Sequence, residues 1–304
     1  MRRLVIVLLV VGALVATCGA LSGRRHVDRV RFTERVTEVE IDSGIGDVTV
    51  LGSNRTDVVV THRYHFVVGR PSLGRRLENT KLRLSSRCPR LDVACTVSTR
   101  VQLPESTRLV VRVKDGGVDV RRLHAPIDVR THGGGVSITN SAGAVTARAG
   151  TGLLRLKHVR GTASLRTDKG DVVLDHVQAR SRITVQEGDI RGTCLAGGEL
   201  DGFAASGIVS LSYVQTPGRV KVRTRVGGVA VWLPFGDYAI RAVADAGRVH
   251  VTRVTSDPGG SGLIDLRAGA GDVAVRGRSP TVARSVSLLC ETGATRPRPK
   301  RVHR

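Results

Sequence analysis

Aromatic side chains are nearly missing from this sequence: Phe, Trp and Tyr make up 3% of 304 residues, with a single Trp and a single Met. A core built without rings has to be assembled from many small aliphatic contacts, and Val dominates the chain. Acidic residues are also few, 26 Asp and Glu against 48 Lys and Arg, for a formal net charge of +22. That shortage excludes a calcium ladder, although "DGGVD" and "GAGD" contain the glycine and aspartate such ladders use; the nonapeptide period is missing too. It also disfavours a polysaccharide-cleaving β-helix, which needs carboxylates converging on the scissile bond in an aromatic-lined groove. No G-x-S-x-G, H-E-x-x-H or P-loop pattern occurs. Enzyme activity and bound cofactors are therefore not expected.

The termini carry the first positive signals. Arg2 and Arg3 precede "LVIVLLVVGALVATCGALSG", Leu4 to Gly23, an uncharged and largely apolar run. A charged leader before such a run reads as an export signal or an N-terminal membrane anchor helix. Val15-Ala16-Thr17-Cys18 resembles a lipoprotein processing box with Cys18 as the lipidated residue, although Thr17 fits it poorly. Cleavage after Ala20 or Ser22 and retention as an anchor are the other fates. The other end, "TGATRPRPKRVHR", is a proline-broken basic tail. Export turns the positive charge away from intracellular nucleic acid and toward anionic wall polymer or anionic lipid.

Export also changes the meaning of the five cysteines. In "RCPRLDVACTV" Cys88 and Cys95 flank a short loop, and an oxidising compartment makes a disulfide the first expectation. Cys194 and Cys290 are too distant in sequence for any pairing to be argued.

The body of the chain repeats. Aligned on glycine, segments such as "VVRVKDGGVDV", "IDVRTHGGGVSI", "ASLRTDKGDVVL", "VKVRTRVGGVAV" and "IDLRAGAGDVAV" share one layout: an alternating strand, a glycine turn and a second alternating strand. Gly170 and Gly188 are 188 − 170 = 18 residues apart, and Gly117, Gly135, Gly152, Gly207 and Gly228 continue the row, with Gly247 and Gly271 less regular. In "ASLRTDKGDVVL" the alternation points Ala163, Leu165 and Thr167 inward, then Val172 and Leu174 after the turn. Glycine at the corner supplies a backbone conformation that a Cβ resists, and Asp171 can bond its own turn. A period of this size in a Val-rich chain predicts a parallel β-solenoid of roughly 18-residue coils. A β-sandwich fits evenly spaced strands as well, but one motif recurring in phase favours the solenoid.

In order, the Cys88/Cys95 pair, "VQLP", "GGVDV", "GDVVL", "GDI", "VWLPFGDYAIRA" and "GAGDVAV" resemble the DUF4097 family. The likeness spans roughly Val36 to Gly277, including "IDSGIGDVTVLG" near its start. It implies an exported β-strand-repeat module of the kind classed as candidate adhesins, with no established catalytic role.

The expected organisation is a signal or anchor over 1–23, an N-terminal β region with Cys88 and Cys95 over 24–108, solenoid repeats over 109–278 and a basic tail over 279–304. Within the repeats, Arg112, Arg130, Arg148 and Arg166 recur on the outward face just before the turns. Thr184 breaks the row, and Arg223 and Arg267 resume it. Stacked coils would set neighbouring arginines about 4.8 Å apart, where two exposed charges repel by about 0.9 kcal/mol in water. A polyanion lying along the row would relieve that repulsion; a plain solvated face is the alternative. His158, His176 and Cys194 form another column at the same interval, but no fourth ligand is visible and no metal is expected. The function this supports is a non-catalytic, membrane-tethered envelope protein with an adhesin-like interaction surface, located on the outer side of the cytoplasmic membrane. A structural spacer or self-assembling scaffold is the alternative, since exposed end coils can pair edge to edge.

Overall fold

The computed structural model describes residues 24–92, 94–278 and 290. The segment expected to be a signal or anchor, with Cys18, lies outside them, as does the expected basic tail apart from Cys290. Among the described residues no helix is long and apolar enough to cross a membrane.

The described chain is an all-β solenoid of 25 strands. Each coil lays one strand on a first face, turns at glycine and lays a second strand on the opposite face. Ile127–Gly133 and Val136–Ser141 form one such coil. Successive coils pair in parallel: Ile127 sits between Leu109 and Val145 on the first face, and Val136 between Val118 and Leu154 on the second. Alternation decides what goes inside. Ile127, Val129 and Thr131 are buried, as are Ala163, Leu165, Thr167, Val172 and Leu174. β-Branched and small side chains fill the thin slot between the two faces, each large one contributing about 1.5–3 kcal/mol of burial.

The glycine corner is stricter than its conformation alone requires. Gly152, Gly170 and Gly188 stack on one edge, with φ of 124°, 138° and 140°. A Cβ on Gly170 would lie 2.1 Å from the carbonyl oxygen of Gly152 in the coil below. In the Gly-Gly corners the sequence reading was displaced by one residue. Gly116, Gly134 and Gly227 hold the positive φ, not Gly117, Gly135 and Gly228, because the glycine just before each of these makes the turn. Asp171 also differs from expectation. Its Oδ1 accepts from the Asp189 amide one coil on, at 2.9 Å, instead of from its own turn. Asp189 repeats this toward the Ile208 amide at 2.8 Å, so each carboxylate latches the next corner.

The parallel stack extends N-terminally of Leu109, and its order there departs from chain order. Glu38–Ile45 lies between Lys81–Arg87 and Arg108–Asp115. At the far end, Leu263–Ala270 is inserted between Arg219–Val226 and Asp237–Ala246. The N-terminal end is closed by antiparallel strands, with Arg24–Phe32 on Val58–Phe66, that strand on Thr96–Pro104, and Ser72–Glu78 on Lys81–Arg87. The Cys88–Cys95 disulfide clips the loop joining this cap to the stack.

Two groups in the cap make it sensitive to acid. Asp57 accepts from Arg55 Nε at 2.6 Å and Nη2 at 3.0 Å and also meets Arg31. The Arg55 hydrogen bonds, with help from Arg31, hold its carboxyl down to about 2. Burial pushes the His62 imidazole below its ordinary value, with Nδ1 3.1 Å from Thr99 Oγ1. Both groups bind protons more readily unfolded than folded, so each contributes stability above its unfolded pKa that is lost as pH falls. The His62 contribution starts to fall near pH 6.5 and the Asp57 contribution is lost from about pH 4 to 2. Hydrogen exchange read across that range should show Val58–Phe66 opening before the coils of the central stack. Asp57→Asn should remove the lower phase, and His62→Gln the upper one. Simultaneous opening of cap and stack would refute the assignment.

Candidate functional site

Outward alternation on the first face puts the expected arginines in register. Arg130 pairs directly with Arg112 on one side and Arg148 on the other, and Arg148 pairs with Arg166. Their flanking inward residues Val111, Val129, Ala147 and Leu165 are buried, so the guanidinium groups must project from the wall. With Arg87, Lys114 and His132 they line a single groove. Gly150 keeps its floor low between His132 and Asp168, for a Cβ there would meet the His132 carbonyl oxygen at 2.5 Å.

Local carboxylates divide the row. Arg112 is tied to Glu40, whose own carboxyl is held below its usual range by hydrogen bonds from Lys81 and Arg112. Arg130 Nη2 lies 3.3 Å from Asp128, and Arg166 Nε only loosely at 3.9 Å from Asp168. Arg148 has no carboxylate partner among the described residues. Of the four arginines, Arg148 is therefore the one whose charge is most available. Guanidinium forks grip carboxylate, phosphate or sulfate oxygens in pairs, and parallel coils repeat that fork about every 4.8 Å.

Beyond Thr184 the column continues differently. Phe203 stands between Thr184 and Arg223, and Arg223 pairs with Arg267. The Arg225 guanidinium carbon lies 5.9 Å from the Phe203 ring centre, and Arg267 is held by Asp245 at 3.2 Å. Phe203 and Arg225 were not singled out from the sequence. The available signal was that Phe203 lies one coil after Thr184.

His158, His176 and Cys194 do share a corner. With Arg122 and Asn140 they form a column of non-glycine residues with φ between 51° and 55°, at the bend where each second-face strand leaves for the next coil. The imidazoles of His158 and His176 lie 4.6 Å apart. The finding that sequence could not supply is a disulfide from Cys194 to Cys290. His176 lies against the Cys290 carbonyl and 2.7 Å from the Asp175 carboxylate. Ligand atoms of His176, Cys194 and Cys290 fall within 4.8 Å of one another, but zinc takes thiolates and both sulfurs are spent in the disulfide. The corner acts as a strap.

The family model for Toastrack DUF4097 matches residues 91–276, which is 276 − 91 + 1 = 186 of 304 residues. The chain belongs to the Toastrack DUF4097 family. The match takes in the row from Arg112 to Arg166, the glycine corners from Gly116 to Gly271 and the interleaved C-terminal coils of this Toastrack chain. Its similarity to solved structures is distant. A candidate lipid-binding protein from Parabacteroides distasonis ATCC 8503 is 9% identical over 84% of this chain and 98% of its own, with a TM-score of 0.43. A candidate adhesin from Parabacteroides merdae ATCC 43184 is 9% identical over 84% and 97%, with a TM-score of 0.39. Another, from Parabacteroides distasonis ATCC 8503, is 14% identical over 85% and 98%, with a TM-score of 0.38. No curated protein matches the Toastrack chain.

Proposed function

We propose that this protein is a non-catalytic interaction module of the cell envelope, tethered to the membrane, that lays its arginine groove along an anionic polymer. The observation carrying this reading is the register of Arg112, Arg130, Arg148 and Arg166 on consecutive coils, with Arg148 left without a carboxylate among the described residues. A polymer with regularly spaced anions meets one fork per coil, and its binding releases the counterions that the row would otherwise collect. Two disulfides suit an oxidising compartment outside the cytoplasm. The apolar run from Leu4 to Gly23 supplies the means of export and tethering. A non-catalytic role is supported by the employment of Asp171 and Asp189, which hold the backbone of neighbouring corners.

The test is binding of the full chain, in non-ionic detergent, to a polyol-phosphate polymer, to vesicles containing phosphatidylglycerol, and to uncharged dextran across a salt series. Affinity for the phosphate polymer should fall at least tenfold between 50 and 200 mM salt, a range over which screening of exposed charges grows substantially. Changing all four arginines to glutamine should flatten that slope, and Arg148→Gln alone should weaken binding more than Arg112→Gln. Equal binding by the fourfold variant would leave the row as solvated surface, and preference for vesicles over polymer would redirect the reading to lipid.

A further inference from the structure

The two ends of the solenoid are not alike. Three antiparallel strands close the N-terminal end, whereas the coil formed by Asp237–Ala246 and Val249–Thr252 is terminal. Among the described residues, this coil pairs along Ala239–Ala246 and Val249–Thr252 only with the coil beneath it. Its inward residues are consequently uncovered. Val249 and Val251 are 42% and 41% exposed, although the residues they pair with, Val273 and Val275, are 0% exposed. Backbone donors and acceptors on the outer edge of such a coil are a template for another strand. No proline or lysine interrupts "DYAIRAVADA" to discourage it.

The side chains on that edge say what fits. Arg241, Val243 and Asp245 all point outward and are exposed, Val243 by 38%. They are symmetric about Val243, since 241 + 245 = 2 × 243. If a second copy approaches antiparallel about a two-fold axis through Val243, the two valines meet and each Arg241 faces the other copy's Asp245. Residues directly opposite in an antiparallel pair project to the same side, so both ion pairs form at once. Asp245 is already positioned by Arg267 at 3.2 Å, with carboxylate lone pairs left to accept a second guanidinium. A self-complementary patch of this kind is what a two-fold homodimer requires.

We propose that two copies of this chain join at their C-terminal coils, strand Asp237–Ala246 against its counterpart, covering Val249 and Val251. The first faces then run on as one sheet, and the two arginine rows lie on the same side of the joined molecule. The inference is independent of the polymer-binding reading: dimerisation and polymer affinity can each fail alone.

Cross-linking at the two-fold axis tests it. In full-length chain carrying Cys18→Ser, in non-ionic detergent, Val243→Cys places two thiols directly opposite. Asp245→Cys places them about 13 Å apart, four residues along a strand. Air oxidation should link Val243→Cys chains at least tenfold faster than Asp245→Cys chains, with the mass of a dimer on a non-reducing gel. Arg241→Asp, added to Val243→Cys, should slow linking several-fold by facing like charges. The exchange Arg241→Asp with Asp245→Arg should restore much of the rate. Equal linking at 243 and 245 would overturn the proposal. So would a Val243→Cys thiol that neither links nor reacts with a small alkylating reagent, for then another segment of the same chain covers this end.

Discussion

Replacing Gly170 with alanine is expected to cost about 3–5 kcal/mol and to split the stack into two halves that unfold separately. The cost has two sources. A φ of 138° is a strained conformation for any L-residue, worth about 1–3 kcal/mol. The added Cβ would also sit 2.1 Å from the Gly152 carbonyl oxygen and 2.7 Å from its carbon. Those atoms are backbone belonging to the coil below, so they move only if the coil interface opens, adding about 1–3 kcal/mol of overpacking. Because coils touch only their neighbours, damage at one interface uncouples what lies on either side. Gly218→Ala is the control, for its Cβ would meet nothing closer than 3.5 Å. That change should be neutral or slightly stabilising. Urea unfolding followed by circular dichroism, with hydrogen exchange to locate the break, reads both. A Gly170→Ala midpoint equal to that of the wild type would falsify the steric account of the corner.

Removing the Cys194–Cys290 disulfide should destabilise the protein more than removing Cys88–Cys95. The first joins residues 96 apart in sequence and the second residues 7 apart. In the chain-entropy account the constraint on the unfolded chain grows with the logarithm of the loop, giving about 4–5 kcal/mol for the long loop and about 2–3 for the short one. The long loop encloses the interleaved C-terminal coils, whose order has to be reached against chain order. Its loss should therefore release those coils specifically. Paired serine variants, Cys194→Ser/Cys290→Ser and Cys88→Ser/Cys95→Ser, compared by urea midpoint and by hydrogen exchange, measure both sizes. Equal losses, or the reverse order, would show that native contacts of the strap outweigh its closure of the loop.

What could be read before folding was whatever repeats or is local. The alternation in "ASLRTDKGDVVL" identified its buried side chains because strand geometry sends successive residues to opposite faces. The 18-residue interval aligned Arg112, Arg130, Arg148 and Arg166 because equal coils in parallel register carry a periodic residue into a column. Cys88 and Cys95 were paired because only seven positions separate them. The Gly-Gly corners were displaced by one residue since either glycine satisfies the pattern, and only the backbone path chooses between them.

Other features depend on coordinates that no interval encodes. Cys290 is bonded to Cys194, at a corner laid down 96 residues earlier in the chain. Leu263–Ala270 slips beneath Asp237–Ala246 although it follows in sequence, and this leaves Val249 and Val251 uncovered at the end of the stack. Asp171 looks like a local turn residue until the next coil brings the Asp189 amide within its reach. Arg112 and Arg148 are equivalent in the repeat, yet Glu40 neutralises one and, among the described residues, no carboxylate reaches the other. Periodicity is a property of one coil and its copies, so it specifies faces, columns and corners. Which coil lies beside which, and hence which charges and apolar edges stay available, is decided by contacts between residues far apart in the chain.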